Sequence, residues 1–271
     1  MIPRDALHAA LAAHPRARLF GESLALDAAT RGLAAAFPGR VVSLPAADAT
    51  LIGLGLGAAL TGAGAIVLTC GPESLAGLVG ALHSEAALVG GDFGGALVVV
   101  VPLGPGQAPG GLDGLTAVRV SVAASGPDAA ALLGEALGAP GVSVLFAPRV
   151  ACASANLATP AAAGRGVQVR AGSHAVVLSA GDGVAEALAA AEALAAEGLS
   201  VGVADLRYLA PVDTALLAEL VGASGRAVLH GVPEGLVSAV VAAAFLRLES
   251  PPLTVPLGGA LAPAVRASVH F

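Results

Sequence analysis

Residues 200–230 read SVGVADLRYLAPVDTALLAELVGASGRAVLH. The apolar, valine-bearing run at 200–205 predicts a strand, and the leucines of TALLAELV recur at helical spacing, predicting a helix over 214–221. RAVLH at 226–230 predicts a second strand. A strand, a helix and a strand in that order form a crossover unit, which joins parallel strands. The alternation extends both ways, with a strand at 175–179 and helices at 184–197 and 236–245. Residues 151–166 are small, rich in Ala, Pro and Gly, and without periodicity, as an interdomain linker would be. Before them the pattern repeats. Helices are expected at 5–13, 27–36, 47–60, 75–88 and 128–137, and strands at 18–20, 40–44, 65–69, 96–101, 118–122 and 142–146. ALVVVV at 96–101 is apolar throughout, as suits a central parallel strand covered on both faces. The expected fold class is α/β, with two domains that are each a mainly parallel sheet flanked by helices. Their expected limits are 1–150 and 168–271, with a linker at 151–167.

Composition removes several function classes. The chain has 271 residues, of which 56% are hydrophobic and 12% charged, against about 25% charged in an ordinary protein. Such a chain is not disordered. All 13 basic residues are arginine, which excludes a Schiff-base lysine, a Walker lysine and a lysine general base. The net charge of −6 and the scattered arginines argue against nucleic-acid binding. Cys70 and Cys152 lie far apart without a CxxC, so neither a disulfide framework nor a zinc site is expected, and a cytoplasmic location is. Mean hydropathy is +0.85, and LIGLGLGAALTGAGAIVL at 51–68 is long enough to raise a membrane span. It holds five glycines, lacks flanking aromatics, and breaks into a helix-like and a strand-like half, so no membrane partner is expected. The start, MIPRDALHAALAAHPRARLF, carries Asp5 and no long apolar run, and reads as no secretory signal.

In parallel sheets, sites form at the carboxyl ends of strands. GLGLG at 53–57 looks like part of a dinucleotide fingerprint but falls within a helix, where close packing is the expected role. SAGDG at 179–183 does join a strand to a helix and could cradle a phosphate, but no second phosphate element accompanies it. Glu22 follows the strand at 18–20, and Asp48 follows the strand at 40–44, at the same sheet edge. Asp48 also precedes a helix, so it is either an N-cap or a catalytic carboxylate. The six histidines show no metal-ligand spacing, and no GxSxG nucleophile elbow occurs.

The order of these segments resembles the β-subunit of thiamine-diphosphate-dependent 2-oxoacid dehydrogenases, of the pyruvate, branched-chain and acetoin type. That subunit corresponds to the pyrimidine-binding and C-terminal domains of transketolases. RDALHAALAAHPRARLFGES at the start is similar to the family's opening, and RVVSLPAADATLIGLGLGAALTGAGAIV to its strand, turn and Ala/Gly helix. VADLRYLAPVDTALLAELVGASGRAVL at 203–229 is similar to its Asp-Leu-Arg-x-Leu-x-Pro-x-Asp segment. The resemblance implies that Asp48 stands where the family has the glutamate bonding N1′ of the aminopyrimidine, and Glu22 where it has a glutamate of the proton relay. A carboxylate that holds a proton at N1′ promotes the imino tautomer, whose nitrogen takes the thiazolium C2 proton. It further implies that the diphosphate and Mg²⁺ are held by an α-type partner subunit. The implied assembly is an α2β2 heterotetramer, with a dihydrolipoyl acyltransferase core as a further partner.

The sequence also departs from the family. Asp48 is one methylene shorter than the family's glutamate, and TCGPE at 69–73 replaces the expected aromatic. GQAPGGLDG at 106–114 lacks the family's histidine, the 21–40 loop is short, and the tail after Gly258 is expected to lack most of a final helix. These departures leave open a non-catalytic structural subunit. TCGPES is also similar to the Thr-Ser-Gly-Pro turn of 2-oxoacid:ferredoxin oxidoreductases, another thiamine-diphosphate family.

Overall fold

The computed structural model describes residues 2–24, 30–45, 47–82, 94–112, 117–148 and 163–271. The chain divides into two compact units. Unit 1 comprises residues 1–103 and 110–151, and unit 2 comprises 104–109 and 152–271. The expected linker at 151–167 falls mostly outside the described residues, as do Cys152 and His83.

Unit 1 runs α1 (Arg4–Ala13), β1 (Arg18–Gly21), α2 (Leu33–Ala36), β2 (Val41–Ser43), α3 (Asp48–Leu60) and β3 (Ala65–Leu68). It continues through α4 (Leu75–Ala81), β4 (Ala96–Leu103), β5 (Arg119–Val122), α5 (Gly126–Leu137) and β6 (Gly141–Pro148). Its six strands are all parallel, in the order β5-β6-β4-β3-β1-β2. β4 lies between β3 and β6, and six of its eight residues in succession are buried, as an apolar run covered on both faces must be. α3 packs on α4, and α1 packs on α5. The helix expected at 75–88 is described only to its first turns, since 83–93 lie outside the described residues.

The 51–68 stretch is divided as its two halves suggested: α3 ends at Leu60 and β3 begins at Ala65. Among the described residues no helix is long and apolar enough to cross a membrane. GLGLG lies inside α3, and its middle glycine has a packing role. A Cβ on Gly55 would stand 2.5 Å from Val67 Cγ2 and 2.9 Å from Leu97 Cδ1, so α3 rests on β3 and β4 through the missing side chain. Gly53 and Gly57 face open space.

Unit 2 contains β7 (Val167–Arg170), β8 (Ala175–Ser179), α6 (Gly183–Ala195), β9 (Val201–Asp205), a short extended segment β10 (Tyr208–Ala210) and α7 (Thr214–Ser224). β11 (Ala227–His230), α8 (Leu236–Ala244), β12 (Leu253–Val255) and α9 (Leu261–Val269) follow. The sheet order is β12-β11-β8-β9-β7, parallel except for β7, which runs antiparallel to β9. Val184, Ala187, Ala191 and Leu194 of α6 and Leu261 and Val265 of α9 share one core with the sheet valines. α7 begins where the Asp213 carboxylate accepts the Leu216 N–H at 3.1 Å, and it ends at Gly225, whose φ of +69° is a left-handed stop. The nine-residue α9 corrects the expectation of a tail without most of its final helix. Pro263 sits in its first turn, where no helical N–H bond is lost.

These contacts separate the glycines of α3. Gly55→Ala should lower unfolding free energy by about 1–3 kcal/mol through overpacking. Gly53→Ala and Gly57→Ala should each raise it by about 0.5–1 kcal/mol through helix propensity. Urea titration of the three variants checks the opposite signs.

Candidate functional site

The strand order of unit 1 reverses at β1: the chain leaves β1 toward β2 on one side, then returns to β3 on the other. Loops leaving such neighbouring strands diverge and open a crevice at their carboxyl ends, the usual ligand position in an open α/β sheet. Three segments meet this edge. They are the turn after β1 with Glu22, the start of α3 with Asp48, and the turn from Thr69 to Ser74 after β3.

Asp48 is the first residue of α3; the N-cap position is Ala47, which has no side-chain cap. The carboxylate is therefore not the helix cap. Its Oδ2 accepts the Cys70 backbone N–H at 2.9 Å and the Ser74 hydroxyl. Among the described residues Oδ1 has no partner, and the side chain is half-buried. The turn that holds Asp48 is itself fixed. Thr69 donates from both its N–H (3.1 Å) and its Oγ1 (3.0 Å) to the Val100 carbonyl of β4, and Ser74 is buried. Gly77 of α4 lies so close to α3 that a Cβ there would stand 2.9 Å from that of Ala49, the neighbour of Asp48.

In the turn, Cys70 is exposed and in no disulfide among the described residues. The Glu73 carboxylate folds back over Gly71, where a Cβ would lie 2.5 Å from Oε2. No aromatic side chain stands in this turn, as expected from TCGPE. Glu22 is exposed just past the end of β1, followed by Ser23 in a left-handed conformation with φ of +50°. The loop is pinned to β2 by the Leu24 N–H on Ser43 Oγ at 3.2 Å. The structure thus brings Glu22 and Asp48 to one sheet edge, joined by Ser74 and the Cys70 amide, which sequence reasoning did not single out.

In unit 2 the SAGDG turn is a structural one. Gly181 takes φ of +59°, and a Cβ on Gly183 would stand 2.4 Å from Ser179 Oγ. A second polar pair was likewise missed: fully buried His230 meets Glu186 through Nε2···Oε2 at 2.9 Å, and the same oxygen accepts the Gly258 N–H at 2.9 Å. These bonds tie β11, α6 and the approach to α9 together. Among the described residues no group of three or more His, Cys, Asp or Glu side chains could hold a metal ion.

Each unit is a mainly parallel sheet flanked by helices, and residues 164–264 match the family described as "Transketolase, C-terminal domain". The fold is similar to a "split gene transketolase, inactive beta4 tetramer", with a TM-score of 0.80 at 22% identity over 98% of this chain and 97% of that one. It is also similar to a 2-oxoglutarate:ferredoxin oxidoreductase from Magnetococcus marinus, with a TM-score of 0.67 at 13% identity over 99% of this chain and 65% of that one.

Among curated relatives, the pyruvate dehydrogenase E1 component subunit beta of Leifsonia xyli is 30% identical over 278 residues, 92% of this chain and 82% of the relative. That of Rhizobium meliloti is 28% identical over 293 residues, 94% of this chain and 63% of the relative. The chain belongs to the family of pyruvate dehydrogenase E1 beta-type subunits, as a divergent member. It spans 63% of the length of the Rhizobium relative.

The family implies thiamine diphosphate, and the Asp48 corner fits the aminopyrimidine end of that group. An acceptor with one oxygen pinned by two donors and the other open suits a ring nitrogen bonded from a fixed direction.

Removing the Ser74 hydroxyl should leave Asp48 held by one donor alone. Ser74→Ala should cost about 1.5–3 kcal/mol of stability, the usual worth of a hydrogen bond to a charged group, read from the shift of the urea midpoint, with Ser74→Thr recovering most of it.

Proposed function

We propose that the chain is the β-type subunit of a thiamine-diphosphate-dependent 2-oxoacid dehydrogenase, acting in the oxidative decarboxylation of a 2-oxoacid such as pyruvate. It supplies the aminopyrimidine half of a site completed by another subunit. The observation that carries this reading is the Asp48 carboxylate at the crevice edge, oriented by the 69–74 turn with Oδ1 left open. When bound, thiamine diphosphate supplies the electron sink for decarboxylation. Asp48 holds a proton at the ring nitrogen, and the Cys70 amide and Ser74 hydroxyl keep its carboxyl plane from turning away. Glu22, exposed at the next strand end, passes protons to and from that corner. Because Asp48 is one methylene shorter than glutamate, the start of α3 must stand closer to the ring, and the close seating of α4 on Ala49 is in keeping with this.

The rest of the reading rests on the family resemblance, which the relatives' names support only as far as a beta-type subunit. An α-type partner carries the diphosphate and Mg²⁺ end, in an α2β2 assembly that serves a dihydrolipoyl acyltransferase core in the cytoplasm. Residues 1–150 form the pyrimidine-binding-like domain and 168–271 the C-terminal domain. Two observations favour a second reading, a non-catalytic structural subunit: Oδ2 of Asp48 already has two protein donors, and the turn offers no ring to stack on a pyrimidine.

Calorimetry and turnover of the chain assembled with its α-type partner separate the two readings. The catalytic reading expects tight binding of thiamine diphosphate with Mg²⁺. It also expects Asp48→Ala to lose at least about 100-fold in turnover, the contribution of a positioned proton-transfer group. Unchanged turnover in Asp48→Ala removes the role of that residue, and absence of cofactor binding in the assembled wild type leaves the structural subunit.

A further inference from the structure

The edge of the unit 1 sheet opposite the Asp48 crevice holds a hollow of about 390 Å³, lined by Arg16, Arg18 and Arg40 together with Ala58, Thr61 and Ala63. Arg18 opens β1, Arg40 precedes β2 and Ala63 precedes β3, so the hollow lies at the amino ends of three strands. α1 and α3 end at the same edge. Three of the 13 arginines thus share one hollow, in a chain whose net charge is −6, and no carboxylate lines it. Among the described residues none of the three forms an ion pair.

Helix ends account for part of this charge. Arg40 donates from Nη1 to the Pro15 carbonyl at 3.1 Å and from Nη2 to the Leu11 carbonyl, and its guanidinium carbon stands 4.9 Å from the centre of the Phe37 ring. Arg16 donates from Nη2 to the Thr61 carbonyl at 3.3 Å. These bonds cap α1 and α3, and each helix end supplies about half a negative charge, which leaves about two positive charges unbalanced. Arg18 takes no part in the capping. Its side chain is without a hydrogen bond among the described residues, and both Arg16 and Arg18 are exposed.

Like charges gathered in a recess repel one another, and an anion of matching charge relieves that repulsion. Guanidinium forks match the oxygens of a phosphate bidentately, and such charge-assisted bonds are the strong ones. The volume falls within the range of small-molecule sites, about 300–1,000 Å³. None of the lining residues is aromatic, so a nucleobase would have no ring to stack on. We infer that this hollow binds a phosphate dianion, free or carried on a small non-aromatic molecule. Arg16 and Arg18 donate to its oxygens, and Arg40, already fixed by its two carbonyls, supplies standing positive charge. The site lies within unit 1, at the other end of α3 from Asp48, and does not rest on the reading of that residue.

Isothermal titration calorimetry of the full chain, with any partner that co-purifies, tests the inference. The titrants are inorganic phosphate, glycerol 3-phosphate and glycerol, in about 0.15 M NaCl so that stray surface attraction is screened. Both phosphate compounds should bind with a dissociation constant at or below about 1 mM, and glycerol should not bind. Arg16→Gln and Arg18→Gln, at exposed positions, should each weaken phosphate binding at least about tenfold, as loss of a charge-assisted hydrogen bond does. Arg247→Gln, which removes an exposed arginine of unit 2, should leave it unchanged. Glycerol 3-phosphate binding about tenfold tighter than phosphate supports a phosphorylated small molecule as the ligand, and equal affinities support free phosphate. Far-UV circular dichroism melts show that the variants remain folded. Absence of binding by both phosphate compounds at about 10 mM overturns the inference. So does undiminished binding in a folded Arg16→Gln, Arg18→Gln double variant, which also separates this hollow from a phosphate site on a partner. An equal loss in Arg247→Gln, or glycerol binding as well as its phosphate, overturns it too.

Discussion

The seating of α3 on the sheet over Gly55 is the constraint on which the candidate site depends. With no Cβ at that position, the helix axis comes within side-chain contact of Val67 and Leu97. That closeness sets the height of the first residue of the helix, Asp48, relative to the end of β3. The turn beyond β3 is pinned separately, through Thr69 on the Val100 carbonyl. Two elements fixed independently to the same sheet therefore meet at one carboxylate, and the bonds from Cys70 and Ser74 record that meeting. A carboxylate held in this way has already lost the rotamer freedom that a functional group must otherwise surrender on binding.

Most of the fold was legible because the strands of parallel sheets are short, apolar and β-branched, and glycine and proline punctuate them. AIVL at 65–68 and ALVVVV at 96–101 could be little else. The missed elements have physical causes. VQVR at 167–170 alternates polar with apolar, as an edge strand does, and pairs antiparallel at the rim of its sheet. LAPAVRASV has a proline that discourages a helix everywhere except in its first turn, where it stands in α9.

The site was legible only in part, for a different reason. Asp48 could be found from its place after a strand, but its partners are 22 and 26 residues away in sequence. They become neighbours only because β3 lies on the far side of β1 from β2. Pairwise contacts of that kind are created by strand order, which periodicity does not encode. The same holds for His230 and Glu186, 44 residues apart, which meet because β11 and β8 are adjacent.

The absence of lysine bears on how charge is used in this chain. With only 13 cations, all arginine, few charges are left to interrupt apolar surface. Several of them act within the chain. Arg40 donates to the Pro15 carbonyl and Arg16 to that of Thr61, at the ends of α1 and α3, where a cation also suits the helix dipole. Arg266 grips Glu197 through two bonds of 2.6 and 2.8 Å and holds that carboxyl below its usual pKa. Among the described residues Arg247 has no ion pair of this kind. Its side chain instead packs over Gly222, where a Cβ would stand 2.8 Å from Nη1.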